Sequence, residues 1–249
     1  MNAPRSIPDR AFDTRSTTKA LFGAWSVISV LQIFLAEFVV SLAWAGRSAY
    51  SPIFNVISDL GAAHCGIYNG RSVCSPLNWV MNGSFVLQGL GMLLGGLLLS
   101  STLLGVAAHF HGAEPPQLRA AHWVRGFLVV CGIGVMAVGI FPEDTIGPLH
   151  YLGAALFFVC GSIAQFLLWW IWYRRSWSSW ILLLSGIVAV VATILFTVFS
   201  LWLDVPGFPG GLVERLIVYP VVIGFAVVGM TVARGVRAER KAQAAQASG

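Results

Sequence analysis

Long apolar stretches alternate with short polar segments along almost the whole chain. Crossing the hydrocarbon layer of a bilayer, roughly 30 Å thick, takes about 20 apolar residues as a helix. The stretches that meet or approach this length lie at residues 20–46, 79–110, 126–141, 149–173, 180–203 and 211–233, the third being the shortest. The pattern therefore predicts an all-α integral membrane bundle of six transmembrane helices.

The composition supports a membrane protein and excludes an ordinary soluble domain. Hydrophobic residues make up 57% of the 249-residue chain and charged residues only 10%, whereas charged residues form about a quarter of a soluble domain. The remaining segments are residues 1–19, a polar tail, residues 47–78, a loop, and residues 234–249, a basic tail. They leave little chain for a separate globular domain.

The basic residues are distributed unevenly between the two sides of the predicted bundle. Only Arg47, Arg71 and Arg215 fall on one side, and the other side holds Arg5, Arg10, Arg15, Lys19, Arg119, Arg125, Arg174, Arg175, Arg234, Arg237, Arg240 and Lys241. Because cytoplasmic loops are rich in Lys and Arg, the N- and C-terminal tails are predicted to be cytoplasmic and residues 47–78 to be outside the plasma membrane. The net charge of +5 follows from this topology, and no nucleic-acid partner is expected.

Two of the four cysteines lie in the predicted outer loop. Cys65 and Cys74 flank a turn that contains Asn69 and Gly70. On an oxidising face this spacing predicts a disulfide. The alternative is a metal site that combines both cysteines with His64, but it lacks a fourth ligand nearby.

Polar side chains gather at the predicted outer ends of the spans. Polar groups within a membrane are costly, so they mark candidate functional positions. The candidate ligand-binding residues are Asp59, Asn78, Asn82, Glu143, Asp144, His150, Glu214 and Arg215. Each alone has a structural explanation, such as a helix cap or an interfacial ion pair. Together they predict an outward-facing pocket that binds a membrane lipid headgroup or another small polar ligand.

Two further polar residues lie deeper in the predicted spans. Glu37 in the first span and Gln88 in the second are each about 13 Å below the outer end. A lone buried glutamate is expected to be protonated or to hydrogen-bond a group such as Gln88. Arg215 is expected to anchor a phosphate or carboxylate, because a guanidinium group binds either one through two parallel hydrogen bonds.

Several short motifs follow one another at the outer ends of successive spans. They are Ser58-Asp59-Leu60-Gly61, Asn78 with Asn82, Gly139-Ile140-Phe141-Pro142-Glu143-Asp144 followed by His150, and Gly211-Leu212-Val213-Glu214-Arg215. In this order they resemble the DUF998 family of polytopic bacterial and archaeal membrane proteins of unknown function. The resemblance covers about residues 20–235 and implies a six-span fold but no reaction. The loop between Cys65 and Cys74 is not part of it.

Two other functions are compatible with the sequence. One is an accessory subunit that packs against a membrane-protein partner, which fits the short loops. The other is an intramembrane lipid hydrolase or transferase, with Asp144 and His150 as acid and base and Ser58 or a metal-bound water as the nucleophile. A looser similarity to membrane hydrolases of the ceramidase and progestin-receptor type suggests the metal-dependent form. The chain lacks the histidines of those enzymes, and it has no P-loop or HExxH motif, so no cofactor or metal is predicted.

Overall fold

The computed structural model describes residues 14–101, 104, 115–173, 176–203 and 205–247. Within these ranges, six helices are long and apolar enough to cross a membrane. They are Thr17–Leu42, Asn78–Leu98, Pro116–Ile140, Gly147–Trp172, Ser178–Ser200 and Gly210–Ala242. The all-α, six-span architecture predicted from the sequence is thus confirmed, and the protein is built as a multi-pass membrane protein.

The helices have the following bounds. The first span consists of two α-helices joined by a 3-10 turn at Ser29–Leu31, and the fifth continues as a π-helical segment at Thr197–Trp202. The helices are α1 (Thr14–Ile28), α2 (Gln32–Leu42), α3 (Asn78–Leu98), α4 (Pro115–Ile140), α5 (Gly147–Trp172), α6 (Ser178–Phe196) and α7 (Gly210–Ala247).

The helices of the third and sixth spans extend beyond their predicted bounds, and α7 continues to Ala247, past the predicted end at residue 233. Helix α4 begins at Pro115 rather than at residue 126, because a polar first turn does not stop a helix whose N-terminal prolines already have a helical φ angle. Its Arg125 donates to the carbonyls of Gly96 and Leu97, at 3.0 and 3.2 Å, where α3 ends. The second span was predicted to reach residue 110, and most of that extension lies outside the described residues.

The spans pack around the bundle in the order of the sequence. Helix α1 contacts α3, α3 contacts α4, and the sequence continues through α5 and α6 to α7, which returns to contact α1. Closing this ring brings the first and last spans together. The buried apolar side chains of the described residues form one main core between the helices.

Glycines allow the closest helix contacts. A Cβ atom at Gly134 of α4 would lie 2.6 Å from the backbone oxygen of Gly153 of α5, and one at Gly153 would lie 2.5 Å from that of Gly134. Real Cβ atoms do not approach an oxygen so closely, so the two backbones touch only because both side chains are hydrogen. This contact is of the small-residue type that lets helices associate in membranes.

A two-stranded hairpin covers one end of the bundle. Strands β1 (Gly66–Tyr68) and β2 (Arg71–Val73) pair antiparallel, and the turn residues Asn69 and Gly70 have φ angles of 46° and 73°, the positive values of a tight hairpin turn. Cys65 and Cys74 form a disulfide at its base, which confirms the predicted pairing. We call this end of the bundle the hairpin end and the opposite one the terminal end.

We expect Gly134→Ala to weaken the bundle. The new methyl group would force α4 and α5 apart, and overpacking of this kind typically costs about 1–3 kcal/mol. Gly126→Ala in the same helix is the control, because a Cβ there meets nothing within 4 Å. Thermal unfolding in detergent would measure both variants, and equal midpoints would contradict the proposed contact.

Candidate functional site

A buried 3-10 turn, Ile57–Gly61, forms the floor of the polar cluster at the hairpin end. Ile57 and Leu60 insert into the core, and the intervening Ser58 and Asp59 are also buried. Asn82 of α3 donates to the Gly61 carbonyl at 2.8 Å, and the Ser75 hydroxyl donates to the Leu60 carbonyl at 2.6 Å. The turn is therefore held in the bundle by side chains that satisfy its backbone.

Ser58 lies against a histidine from the fourth span. Its Oγ is 2.9 Å from His150 Nε2, and His150 Nδ1 is 2.9 Å from the carbonyl oxygen of Phe141. A carbonyl only accepts hydrogen bonds, so Nδ1 carries a hydrogen. In the neutral ring, Nε2 then presents its lone pair to the serine hydroxyl. A nucleophile, a base and a group that orients the base stand in this relation in activated serine sites.

Glu214 contacts the other side of Ser58. Its Oε2 accepts a hydrogen bond from the backbone N–H of Ile57, and its Oε1 lies 3.3 Å from Ser58 Oγ. The serine hydroxyl thus has two partners, His150 and Glu214, and only one hydrogen. It can donate to one of them at a time, so Ser58 stands between two groups that can take its proton.

Asp59 is tied to the hairpin. Its carboxylate is fully buried and accepts three hydrogen bonds from Arg71, at 2.8 to 3.2 Å, and one from Asn55 at 3.0 Å. Arg71 is the only charged residue between the two disulfide cysteines. This paired, charge-assisted geometry is the strong form of an ion pair, and it fastens the hairpin over the buried turn.

Glu143 is a buried carboxyl group whose hydrogen bonds are incomplete within the described structure. It is 4% exposed, and its Oε1 lacks a hydrogen-bond partner within the described structure, lying 3.8 Å from Arg71 Nη2. Burial is the largest cause that raises the pKa of Glu143 from 4.5 to about 10. The negative charge of Asp59 and a hydrogen bond with Asp59 add to the rise. Glu143 therefore carries a proton at neutral pH.

Asp144 lies at the edge of the cluster. Its carboxylate accepts hydrogen bonds from the backbone N–H groups of Ala63 and His64, at 2.9 and 2.8 Å, and lies 3.0 Å from the His64 ring. Burial opposes its ionisation, but these hydrogen bonds outweigh burial and lower its pKa. Among the hydrogen bonds of the described residues, none joins Asp144 to Ser58 or His150.

Arg215 is buried beside the site and is held by the protein itself. Its Nε and Nη2 contact Glu37 at 2.8 and 2.7 Å, and Nη2 also donates to the Tyr50 hydroxyl. Its Nη1 donates to the carbonyls of Pro52, Asn55 and Gly211 at 2.7 to 2.9 Å. Glu37 therefore pairs with Arg215, and with the Tyr219 hydroxyl at 2.9 Å, rather than with Gln88.

A small cavity of about 20 Å³ opens beneath Ser58. Ser58, Glu214 and Gln88 supply its polar lining, and the remaining walls are apolar side chains of the spans. Gln88 is fully buried, and neither atom of its side-chain amide has a hydrogen-bond partner among the described residues. Such an amide is costly unless something in the cavity binds it.

The structure thus brings some predicted site residues together and separates others. Asp59, Glu143 and Glu214 meet Ser58 and His150 in one cluster. Asn82 supports the turn, and Asn78 donates to the Ser75 carbonyl at 2.9 Å. Ligand binding by these residues, including the anchoring role of Arg215, stays a prediction.

Two residues of the site, Arg71 and Tyr219, were not among those predicted from the sequence. Arg71 had served only to assign topology, although it is the one charge inside the disulfide loop. Tyr219 is four residues after Arg215, which places both on one helix face. Both positions can be recognised from neighbouring residues in the sequence.

Comparison with known proteins identifies a family to which the chain is similar over most of its length. The model described as "Protein of unknown function (DUF998)" matches residues 27–231, from α1 to α7. No curated protein and no solved structure matches the chain. Within the described ranges, no group of three His, Cys, Asp or Glu side chains is arranged to hold a metal ion.

We expect Arg215→Gln to destabilise the bundle by about 3–5 kcal/mol, because it leaves the Glu37 carboxylate buried without its partner. Thermal unfolding in detergent measures the loss, and Glu37→Gln with Arg215→Gln should recover part of it. Arg47→Gln is the control, since Arg47 is exposed at the same end. A loss no larger than that of Arg47→Gln would contradict the role given to the pair.

The pKa of Glu143 predicts a pH dependence of stability. The folded protein keeps a proton that the unfolded chain releases above about pH 4.5, so the free energy of unfolding falls as the pH rises from there towards 10. The slope is at most about 1.4 kcal/mol per pH unit. Glu143→Gln removes this slope and should be the more stable protein at neutral pH.

Asp144→Asn is the matched control for this titration. The pKa of Asp144 is lowered below its ordinary 3.8, so its contribution is present above that pH and is lost only in more acidic solution. Asp144→Asn should therefore reduce stability evenly between about pH 5 and 9. Parallel pH profiles for Glu143→Gln and wild type would rule out the buried proton on Glu143.

Proposed function

The chain belongs to the DUF998 family of proteins of unknown function, and we propose that it is a membrane-embedded serine hydrolase or acyltransferase. The observation that carries the proposal is the contact of 2.9 Å between Ser58 Oγ and His150 Nε2. Ser58 is the nucleophile and His150 the general base. The Phe141 carbonyl is the group that orients the imidazole ring.

The depth of the site indicates an ester of a membrane lipid as the substrate. His150 is three residues after the start of α5 at Gly147, and Glu214 is four residues after the start of α7 at Gly210. At 1.5 Å per residue, both lie about 5–6 Å inside the helix ends. Ester bonds of lipids lie at this level, where the headgroup region meets the hydrocarbon layer of roughly 30 Å.

The proposal places the hairpin end outside the plasma membrane and both termini in the cytoplasm. Basic residues concentrate towards the terminal end, as expected of a cytoplasmic face. The disulfide between Cys65 and Cys74 belongs on an oxidising face. The substrate is then a lipid of the outer leaflet.

The reaction requires the hairpin or a helix end to move. Ser58 is 8% exposed and His150 3% exposed, so an ester reaches Oγ only after the cover opens. Arg71 and Tyr68 help to hold the cover, through Asp59 and through the Glu143 carbonyl at 2.7 Å. Closing again over the ester would exclude bulk water from the reaction.

A second candidate is the binding of a small polar ligand without chemistry. It is favoured by the free Oε1 of Glu143, which lies beside the partly exposed Arg71. Together these two side chains present a neutral acid and a guanidinium group to one ligand. In this function Ser58 and His150 would bind the ligand rather than react with it.

We expect a fluorophosphonate probe to label wild-type protein in mild detergent at Ser58. Ser58→Ala should abolish the label, and His150→Asn should slow labelling by about 10²–10⁴-fold, the usual contribution of a general base. Ser48→Ala is the control, because Ser48 is an exposed serine at the same end of the bundle. Mass spectrometry of the labelled peptide identifies the site.

Failure to label wild-type protein at Ser58 would contradict the acyl-transfer proposal. Labelling at wild-type rate in His150→Asn would also count against it, because Ser58 would then react without its base. If the protein is unlabelled but native mass spectrometry shows a bound polar molecule that Glu143→Gln loses, the second candidate is favoured.

A further inference from the structure

The small cavity beneath Ser58 has the size and lining of a water site. About 20 Å³ exceeds the 10–15 Å³ that one water needs, and a buried water makes two to four hydrogen bonds. Gln88 has an unpartnered donor and an unpartnered acceptor on the same side chain. Ser58 and Glu214 complete three polar side chains around the space.

The two sides of Ser58 differ in a way that matters for chemistry. His150 contacts Oγ but is not part of the cavity lining, whereas Glu214 both approaches Oγ at 3.3 Å and lines the cavity. A water in the cavity therefore lies beside Glu214 and Ser58. His150 contacts the serine from outside the cavity lining.

We propose that this cavity binds the hydrolytic water, and that Glu214 is the base that activates it. The inference rests on the proposed function and deepens it, because it makes the protein a hydrolase with water as the acyl acceptor. His150 would serve the formation of the acyl-serine ester, and Glu214 would serve its breakdown. Gln88 would position the water.

The proton path of each half-reaction balances. In the first, Ser58 Oγ bonds to the acyl carbon, its proton passes to His150 Nε2, and His150 returns that proton to the leaving alcohol. In the second, the water oxygen bonds to the acyl carbon and its proton passes to the Glu214 carboxylate. The bond between the acyl carbon and Oγ breaks, and Glu214 hands the proton to Oγ, which restores Ser58 and releases the free acid.

Charges around Glu214 support a carboxylate that gains and loses a proton. Arg215, the next residue, directs its charge to Glu37 on α2, and Arg71 of the hairpin directs its charge to Asp59. Glu143 and His150, from the α4–α5 region, are neutral in the arrangement described above, and Tyr50 is bound to Arg215. Among these neighbours, Glu214 is left with a hydrogen bond from Ile57 and with the Ser58 hydroxyl, which it shares with His150, rather than with an arginine.

The experiment separates formation of the ester from its breakdown. Purified protein is mixed with p-nitrophenyl acetate, nitrophenol release reports acylation, and intact-mass spectrometry follows the acetyl adduct with time. Glu214→Gln should form the adduct on Ser58 and lose it about 10²–10⁴-fold more slowly than wild type. Glutamine keeps an oxygen that accepts the Ile57 N–H, so the turn is preserved.

Gln88→Leu tests the water site itself. This variant should also slow the loss of the adduct, because it removes the amide that positions the water. Leucine still fills the space that the glutamine side chain occupied. Ser84→Ala is the matched control: Ser84 is one helical turn earlier on α3, is buried, and does not line the cavity. Peptide mass mapping of the trapped adduct, and its absence in Ser58→Ala, identify it as an ester of Ser58.

The outcomes distinguish this inference from the proposed function. Adduct on wild-type Ser58 with equally fast loss in Glu214→Gln overturns the role of Glu214 and leaves the nucleophile intact. Slow loss in Glu214→Gln but wild-type loss in Gln88→Leu overturns the water site. Absence of a Ser58 adduct on both wild type and Glu214→Gln overturns the proposed function and this inference with it. Adduct formation by each variant is its own evidence of a folded site.

Discussion

The hairpin end depends on the buried pairing of Arg215 with Glu37. An isolated charge at this depth is too costly to keep, and even a pair must satisfy its remaining hydrogen-bonding groups to offset desolvation. Arg215 does so with Glu37, the Tyr50 hydroxyl and three backbone carbonyls. The pair therefore joins three parts of the chain, namely the first span, the last span and the loop that enters the site.

The position of Ser58 follows from that anchoring. Arg215 holds the loop at Pro52 and Asn55, Asn55 contacts Asp59, and Asn82 holds the end of the turn at Gly61. With both ends of the segment fixed, its single buried hydroxyl meets His150 and Glu214 from helices that are distant in sequence. The same carboxylates and arginines that cost energy to bury thus place Ser58 beside His150.

The disulfide hairpin links this buried site to the surface. Arg71 reaches inward to Asp59 and Tyr68 donates to the Glu143 carbonyl, while four of the eight hairpin residues, 66–73, are exposed. An element with few apolar contacts opens more readily than the helices beneath it. In the proposed hydrolase, the helices hold the site and the hairpin controls access to it.

The sequence by itself determined the properties that depend on neighbouring residues. Six apolar stretches specified six helices because each span satisfies its own backbone hydrogen bonds, and the short loop specified the disulfide between Cys65 and Cys74. The apolar stretches also placed the start of the third span at residue 126, because the polar segment with Arg119 and Arg125 interrupts the apolar pattern near the start of α4. Tertiary structure alone decided the site. Ser58 and His150 are 92 positions apart and Glu37 and Arg215 are 178 apart, so the first pair exists only when α5 lies beside the loop that carries Ser58, and the second only when α7 packs against the first span. Hydrophobicity selects which segments enter the membrane, but the pairing of buried polar groups depends on which helix ends become neighbours.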